Sequence, residues 1–370
     1  MPNASHYRSD VVLDTSGDVI DLARQLIDIP SVSGDEQLIA DAVEAALRSA
    51  PHLDVSRLGN TVLARTESTR SRRVVIGGHL DTVPAHGNAR GSVEGGLLHG
   101  LGSVDMKANV AIALRAAIGI TKPGYDVTYL FYECEEVEAE RNGLLRVVRE
   151  RPDLLACDVA ILMEPSNGGI EAGCQGTLRV EVTIPGERAH SARSWMGENA
   201  IHRAHRLLAA LDSFEPERPI VDGLTYREGL NAVGIRGGVA GNVIPDSCVV
   251  TLNYRFAPHR SEEEAQDILR SIVVEAGLAD AVLEVVDSAP GARPGLDDPV
   301  ITGFVAATGA PPQPKYGWTD VARFSALGIP ALNFGAGDPA LAHRADECVP
   351  VSQVREVEER LRTWLTTTPA

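Results

Sequence analysis

Two histidines and five carboxylates stand where each could lend a ligand or a base to a cation-assisted reaction. The apolar run Val74-Val75-Ile76 passes through Gly77-Gly78 into His79-Leu80-Asp81. An imidazole nitrogen of His79 can bind a metal while Asp81 holds the other ring N–H and fixes the tautomer. Asp105 follows in Leu101-Gly102-Ser103-Val104-Asp105-Met106-Lys107, at the mouth of a helical run, where an aspartate also serves as an ordinary N-cap. Its two oxygens could equally bridge two cations. Five carboxylates then crowd into Glu133-Cys134-Glu135-Glu136-Val137-Glu138-Ala139-Glu140. Glu138 and Glu140 read as a solvated face. Glu135 and Glu136 come directly off an apolar strand, where like charges repel unless a cation or a shared proton relieves them. Glu164-Pro165 ends another apolar run, and His343 closes the Gly-rich stretch Gly335-Ala336-Gly337-Asp338-Pro339-Ala340-Leu341-Ala342-His343. Singly, each motif has a bland reading as a turn, a cap or an exposed loop. Jointly they form a His/carboxylate set without thiolate, suited to two borderline cations such as Zn²⁺ beside a general base.

The elements that must carry these residues follow from composition and periodicity. The 370 residues hold 34 Lys+Arg against 51 Asp+Glu, a net charge of −17, and 44% of them are hydrophobic. That suits a soluble globular chain of about two domains. A pI near 5.0 with no basic block excludes nucleic acid or an anionic membrane as the main partner, but not a small anionic substrate. The five cysteines are scattered, with no C-x-x-C pair, which argues against a disulfide scaffold. The first residues lack a signal-peptide pattern and no run approaches eighteen apolar residues, so a cytoplasmic protein is expected. Periodicity predicts helices over 18–29, 37–48, 106–120 and 143–150 and strands over 62–64, 74–76, 126–132 and 159–163. This alternation implies an α/β sheet. From 176 the texture changes to strand 178–184, helix 199–211, strand 249–256, helix 261–276 and strand 282–286, an α+β insert. The Gly/Pro-rich stretch 290–295 reads as a return linker, followed by helix 299–307, strand 331–334 and helix 351–365. The first domain is therefore expected at 1–175 and 290–370, interrupted by a second at 176–289.

The chemistry-bearing residues resemble the M20 family of di-zinc aminoacylases and deacylases, from Ile29-Pro30-Ser31-Val32-Ser33-Gly34 to His343. The acid cluster followed by Asn142-Gly143-Leu144 carries the closer likeness, together with Ile170-Glu171-Ala172-Gly173-Cys174-Gln175-Gly176-Thr177, Tyr316-Gly317-Trp318-Thr319-Asp320 and Ala342-His343-Arg344. These look most like the actinobacterial members that hydrolyse N-succinyl-LL-2,6-diaminopimelate to succinate and the free diamino acid. The resemblance implies a zinc-dependent exopeptidase-like catalytic domain, a mixed sheet between helices, interrupted by a smaller α+β dimerisation domain that closes over the substrate.

By the same likeness, His79 and Glu164 hold one Zn²⁺, Glu136 and His343 hold the other, and Asp105 bridges both, with Co²⁺ as an alternative metal. Asp81 orients His79, Glu135 is the general base, and the peptide after Asp105 is cis. His190 matches the histidine that reaches into the partner's active site of a homodimer to stabilise the oxyanion. Asn242 and Arg255 match the substrate-binding pattern, with Thr319 beside them. Two positions depart from it. Lys107-Ala108-Asn109 stands where a Lys-Gly/Ser-Gly run is usual, and Gln175 stands where many proteobacterial members carry arginine, a charge that Arg179 or Arg193 could supply. An acetylornithine deacetylase or a metallo-carboxypeptidase would share every metal ligand. A non-catalytic metal-binding protein is a further alternative, against which the retained Glu135 speaks. No P-loop and no G-x-S-x-G is present.

Overall fold

A computed structural model describes residues 11–67 and 69–367. The chain forms two compact units. One comprises residues up to Ala172, Gly295–Gln313 and the stretch from Arg323 onward; the other comprises Gly173–Pro294 and Pro314–Ala322. Residues 173–175, 290–294 and 314–322, expected in the first domain, belong to the second unit. They group together because Gln175 N–H donates to the Lys315 carbonyl at 3.2 Å and Trp318 Nε1 to the Pro290 carbonyl at 3.1 Å.

The first unit is built on an eight-stranded sheet. Its order is Leu53–Leu58, Thr61–Thr66, Asp126–Tyr132, Arg73–His79, Val159–Leu162, Ala331–Phe334, Ile170–Ala172 and Gln313–Pro314. The four central strands, Asp126–Tyr132 to Ala331–Phe334, run parallel, and antiparallel pairs flank them. Asp126–Tyr132 and Val159–Leu162 are buried at every position, as strands covered on both faces must be. Parallel strands share a direction, so their carboxyl ends line one edge of the sheet, the place where α/β sheets build sites. His79, the Glu133–Glu136 segment, Glu164 and the loop from Gly335 all issue from that edge.

The Lys107–Gly119 helix lies in the core of this unit. Ala108, Ala111, Ala113 and Ala117 are fully buried, which a helix of small side chains permits. The Asp105–Met106 peptide before it is cis. Gly78 makes room at this joint: a Cβ there would lie 2.7 Å from Met106 Cε, and the Met106 Sδ accepts the His79 N–H at 3.4 Å.

The second unit has an antiparallel sheet ordered Gly229–Gly237, Ser247–Phe256, Gly176–Pro185 and Val282–Ala289. Alternate residues Leu178, Val180, Val182 and Ile184 are buried with Cys248, Val250, Leu252, Tyr254 and Phe256. They form one core with Ala204 and Leu207 of the Ala200–Asp212 helix and Leu269 and Val273 of the Glu262–Glu275 helix. Ser261 and Glu264 close the latter helix with a reciprocal capping box. Among the described residues no helix is long and apolar enough to cross a membrane.

Candidate metal centre

Asp105 divides its carboxylate between two groups of donors. Its Oδ1 lies 3.0 Å from His79 Nε2, and its Oδ2 lies 3.4 Å from His343 Nε2. His343 Nε2 is also 2.8 Å from Glu136 Oε1. The donor atoms of His79, Asp105 and Glu164 fall within 4.8 Å of one another, and so do those of Asp105, Glu136 and His343. A third such group, His79, Glu135 and Glu136, puts the expected base beside both. Residues from four strand ends and the entrance of one helix thus converge.

Charge at the centre is arranged for cations. Burial alone would lower the His79 pKa, but the Asp105 and Asp81 carboxylates override it and hold the imidazole well above its ordinary value. Hydrogen bonds to Asp105 and then Glu136 push the half-exposed His343 up to about 10. Asp105 shows the converse: the two imidazoles outweigh its burial and keep it strongly acidic. Two protonated imidazoles would offset only part of the charge of the converging carboxylates. A pair of divalent cations bound by the same nitrogen and oxygen donors would replace those protons, so the donor set fits two metals.

Asp81 does more than the sequence reading gave it. His79 Nδ1 lies 3.0 Å from the Asp81 main-chain carbonyl and 3.4 Å from its carboxylate Oδ1, so the main chain is the nearer partner of the ring. The fully buried carboxylate instead accepts the N–H groups of Glu135 on Oδ1 at 3.0 Å and of Glu136 on Oδ2 at 3.1 Å. Ser33 Oγ donates to Oδ2 at 2.7 Å. Glu36, also fully buried, works alongside it: its Oε1 accepts from Gly34 N at 2.7 Å, Cys134 N at 3.1 Å and Cys134 Sγ at 3.3 Å. This pins Cys134, at φ 56°, where the chain turns from the strand toward Glu135. Burial, then the Glu36 contact, pushes the Cys134 thiol up to about 12. Ser33 lies in the first stretch of the family likeness, while Glu36 carried no signal. Glu140, read as solvated, is exposed and paired with Arg149.

The expected substrate-side residues belong to the second unit. His190 pairs with Val243 in a short ladder, and its Nδ1 accepts the Ala192 N–H at 3.0 Å, which leaves the ring proton on Nε2. Asn242 is exposed, and its carbonyl accepts the Ser191 N–H at 2.9 Å. Arg255 is half-buried opposite Thr177 and Gly229, Arg179 lies 3.7 Å from Asp287, Arg193 is exposed, and Thr319 is buried.

The chain is 52% identical over 355 residues to the putative succinyl-diaminopimelate desuccinylase DapE of Mycobacterium tuberculosis strain H37Rv, covering 96% of this chain and 99% of that one. It is 47% identical over 359 residues to the succinyl-diaminopimelate desuccinylase of Corynebacterium glutamicum, covering 95% and 97%. In fold it is similar to the YXEP protein of Bacillus subtilis, described as a dinuclear metal binding peptidase from M20 family, with a TM-score of 0.71, 16% identity and coverage of 94% and 96%. The model of peptidase family M20/M25/M40 matches residues 75–367, and the chain belongs to that family.

Proposed function

We propose that this enzyme hydrolyses the amide of N-succinyl-LL-2,6-diaminopimelate to succinate and LL-2,6-diaminopimelate at a centre of two zinc ions, with Co²⁺ as an alternative metal. The carboxylate of Asp105, divided between two His/carboxylate groups, is the observation that carries the metal-dependent reading. Likeness at 47–52% identity over nearly the whole chain to relatives named for this reaction supports the substrate.

His79 and Glu164 would hold one ion, Glu136 and His343 the other, and Asp105 both. Bound there, two cations acidify water and polarise an amide carbonyl. Glu135 takes a proton from the attacking water; as the C–N bond breaks, it returns that proton to the leaving nitrogen. Asp81 fixes the backbone from which Glu135 projects. His190 presents Nε2–H as a donor suited to an oxyanion, in keeping with a homodimer formed through the second unit. Asn242, Arg255, Arg179, Arg193 and Thr319 are the candidates for holding the dicarboxylate substrate. We place the enzyme in the cytoplasm, a reading supported by five free cysteines.

A substrate panel with purified zinc-loaded enzyme tests the reading. Turnover of the succinylated diamino acid well above that of N-acetylornithine and of dipeptides is expected. Faster turnover of acetylornithine would overturn the substrate assignment while leaving the metal chemistry standing.

A further inference from the structure

Two buried polar side chains close a reciprocal latch around the centre. Glu347 lies four residues beyond His343, is 1% exposed, and aims its carboxylate back at the loop that carries Asp105. One oxygen, Oε1, accepts the N–H groups of Gly102 at 2.9 Å, Val104 at 2.8 Å and Asp105 at 3.2 Å, while the Glu347 carbonyl accepts Gly100 N–H at 3.2 Å. Asn109 lies four residues beyond Asp105, is fully buried, and reaches the opposite way. Its Oδ1 accepts the Ala336 N–H at 2.8 Å and its Nδ2 donates to the Ala336 carbonyl at 2.9 Å, so the side-chain amide pairs with the backbone as a neighbouring strand would. Ala336 stands in the loop that runs on to His343. The segment bearing His343 therefore holds the loop of Asp105, and the segment bearing Asp105 holds the loop leading to His343.

We infer that Glu347 and Asn109 are positioning residues that set the separation of Asp105 and His343, and through it the affinity and spacing of the two cations. The inference rests on the metal reading above. Three N–H donors on one buried oxygen fix the main chain of Asp105, and a two-point amide contact leaves the Ala336 segment little freedom to slide. The two arms differ in reach. Asp105 serves both metals, so loosening it disturbs both. The Ala336 loop leads on to His343, so loosening it falls chiefly on the ion that His343 would hold. Residues that orient ligands without touching the metal typically change affinity by about 10–100-fold.

The test is stepwise binding of Zn²⁺ to metal-free enzyme against a chromophoric chelator, with Co²⁺ absorption as a spectroscopic readout and amide hydrogen exchange of the metal-free protein. N109A is expected to weaken one of the two binding steps about tenfold and the other less. It is also expected to change the Co²⁺ spectrum and speed exchange at Ala336. E347A is expected to weaken both steps and speed exchange at Gly102, Val104 and Asp105, whereas E347Q, which keeps an acceptor oxygen, restores much of the loss. Should N109A fold poorly, N109D keeps the acceptor for Ala336 N–H and removes only the donor, and is expected to lie between wild type and N109A. Wild-type affinity for both ions, an unchanged Co²⁺ spectrum and unchanged exchange in N109A and E347A would overturn the latch. If the wild-type enzyme bound no divalent cation, the metal reading would fail instead, and exchange at Ala336 in N109A would still decide the contact.

Discussion

The main-chain N–H of Glu135 donates to the carboxylate of Asp81 at 3.0 Å, so the proposed base is tethered through its backbone to the residue that follows His79 by two positions. One buried acid thus couples the proposed metal ligand His79 on one strand to the proposed base on its parallel neighbour. The same carboxylate holds the N–H of Glu136, a ligand candidate for the other cation.

Asp81→Asn should therefore act on the base and not on the imidazole alone. An amide offers one acceptor oxygen where three donors converge, and its NH₂ faces one of them. Misplacement of the Glu135 segment is expected to lower kcat about 100-fold, with KM changed much less. A KM increase with unchanged kcat would show that the Glu135 tether has no catalytic consequence.

Glu135→Gln removes the proton acceptor and leaves every proposed ligand in place. The variant should retain both metal ions while kcat falls by about 10²–10⁴. Metal analysis together with steady-state kinetics checks this, and a wild-type rate in the fully loaded variant would remove Glu135 from the mechanism.

Metal-free enzyme should be sensitive to pH in a defined direction. Hydrogen bonds to Asp105 and Glu136 raise His343 to about 10 in the folded protein, against 6.5 for a free imidazole. A raised pKa contributes stability that is complete below about 6.5 and disappears as pH climbs to about 10. The denaturation midpoint of the metal-free protein should fall across that window, measured by urea titration. At pH 8, binding of Zn²⁺ should release protons into a weakly buffered indicator solution, because the cation takes the nitrogen that the proton held. Uptake without proton release would contradict this charge arrangement.

Gly335→Ala should be costly. A Cβ there would lie 2.6 Å from the carbonyl oxygens of both Met163 and Glu164 and 2.9 Å from Asn109 Nδ2, so backbone must move. Overpacking of this kind costs about 1–3 kcal/mol, and the shift falls on Glu164 itself. A lower melting temperature together with weaker metal binding is expected.

Much of this was legible in the sequence because parallel strands are buried on both faces. They read as apolar runs, and the polar residue that ends each run marks the functional edge. The strands Asp126–Tyr132 and Ala331–Phe334 and the helices Gln37–Arg48 and Gly143–Glu150 match the periodicity residue for residue. Two edge strands did not show, whereas the edge strand Val282–Ala289 did. Gly229–Gly237 is largely exposed, begins and ends in glycine and carries another within, and Leu53–Leu58 has no fully buried position, so neither alternates clearly. The supporting residues were silent for a different reason. Glu347 follows Arg344 and Asp346 and reads as one more surface charge, although it is buried against three N–H groups. Asn109 registered only as a departure from the family pattern, because its role depends on a backbone segment 227 residues away.

The most direct test is a titration of metal-free enzyme with Zn²⁺ in which bound metal and turnover of N-succinyl-LL-2,6-diaminopimelate are followed together, in wild type and in Asp105→Ala. Two ions per chain with activity rising as they bind, and loss of both tight binding and turnover in the variant, is the expected result. Full activity in chelator-stripped enzyme, or an Asp105→Ala variant that still binds two ions and turns over at the wild-type rate, would contradict a reaction built on a shared Asp105 carboxylate.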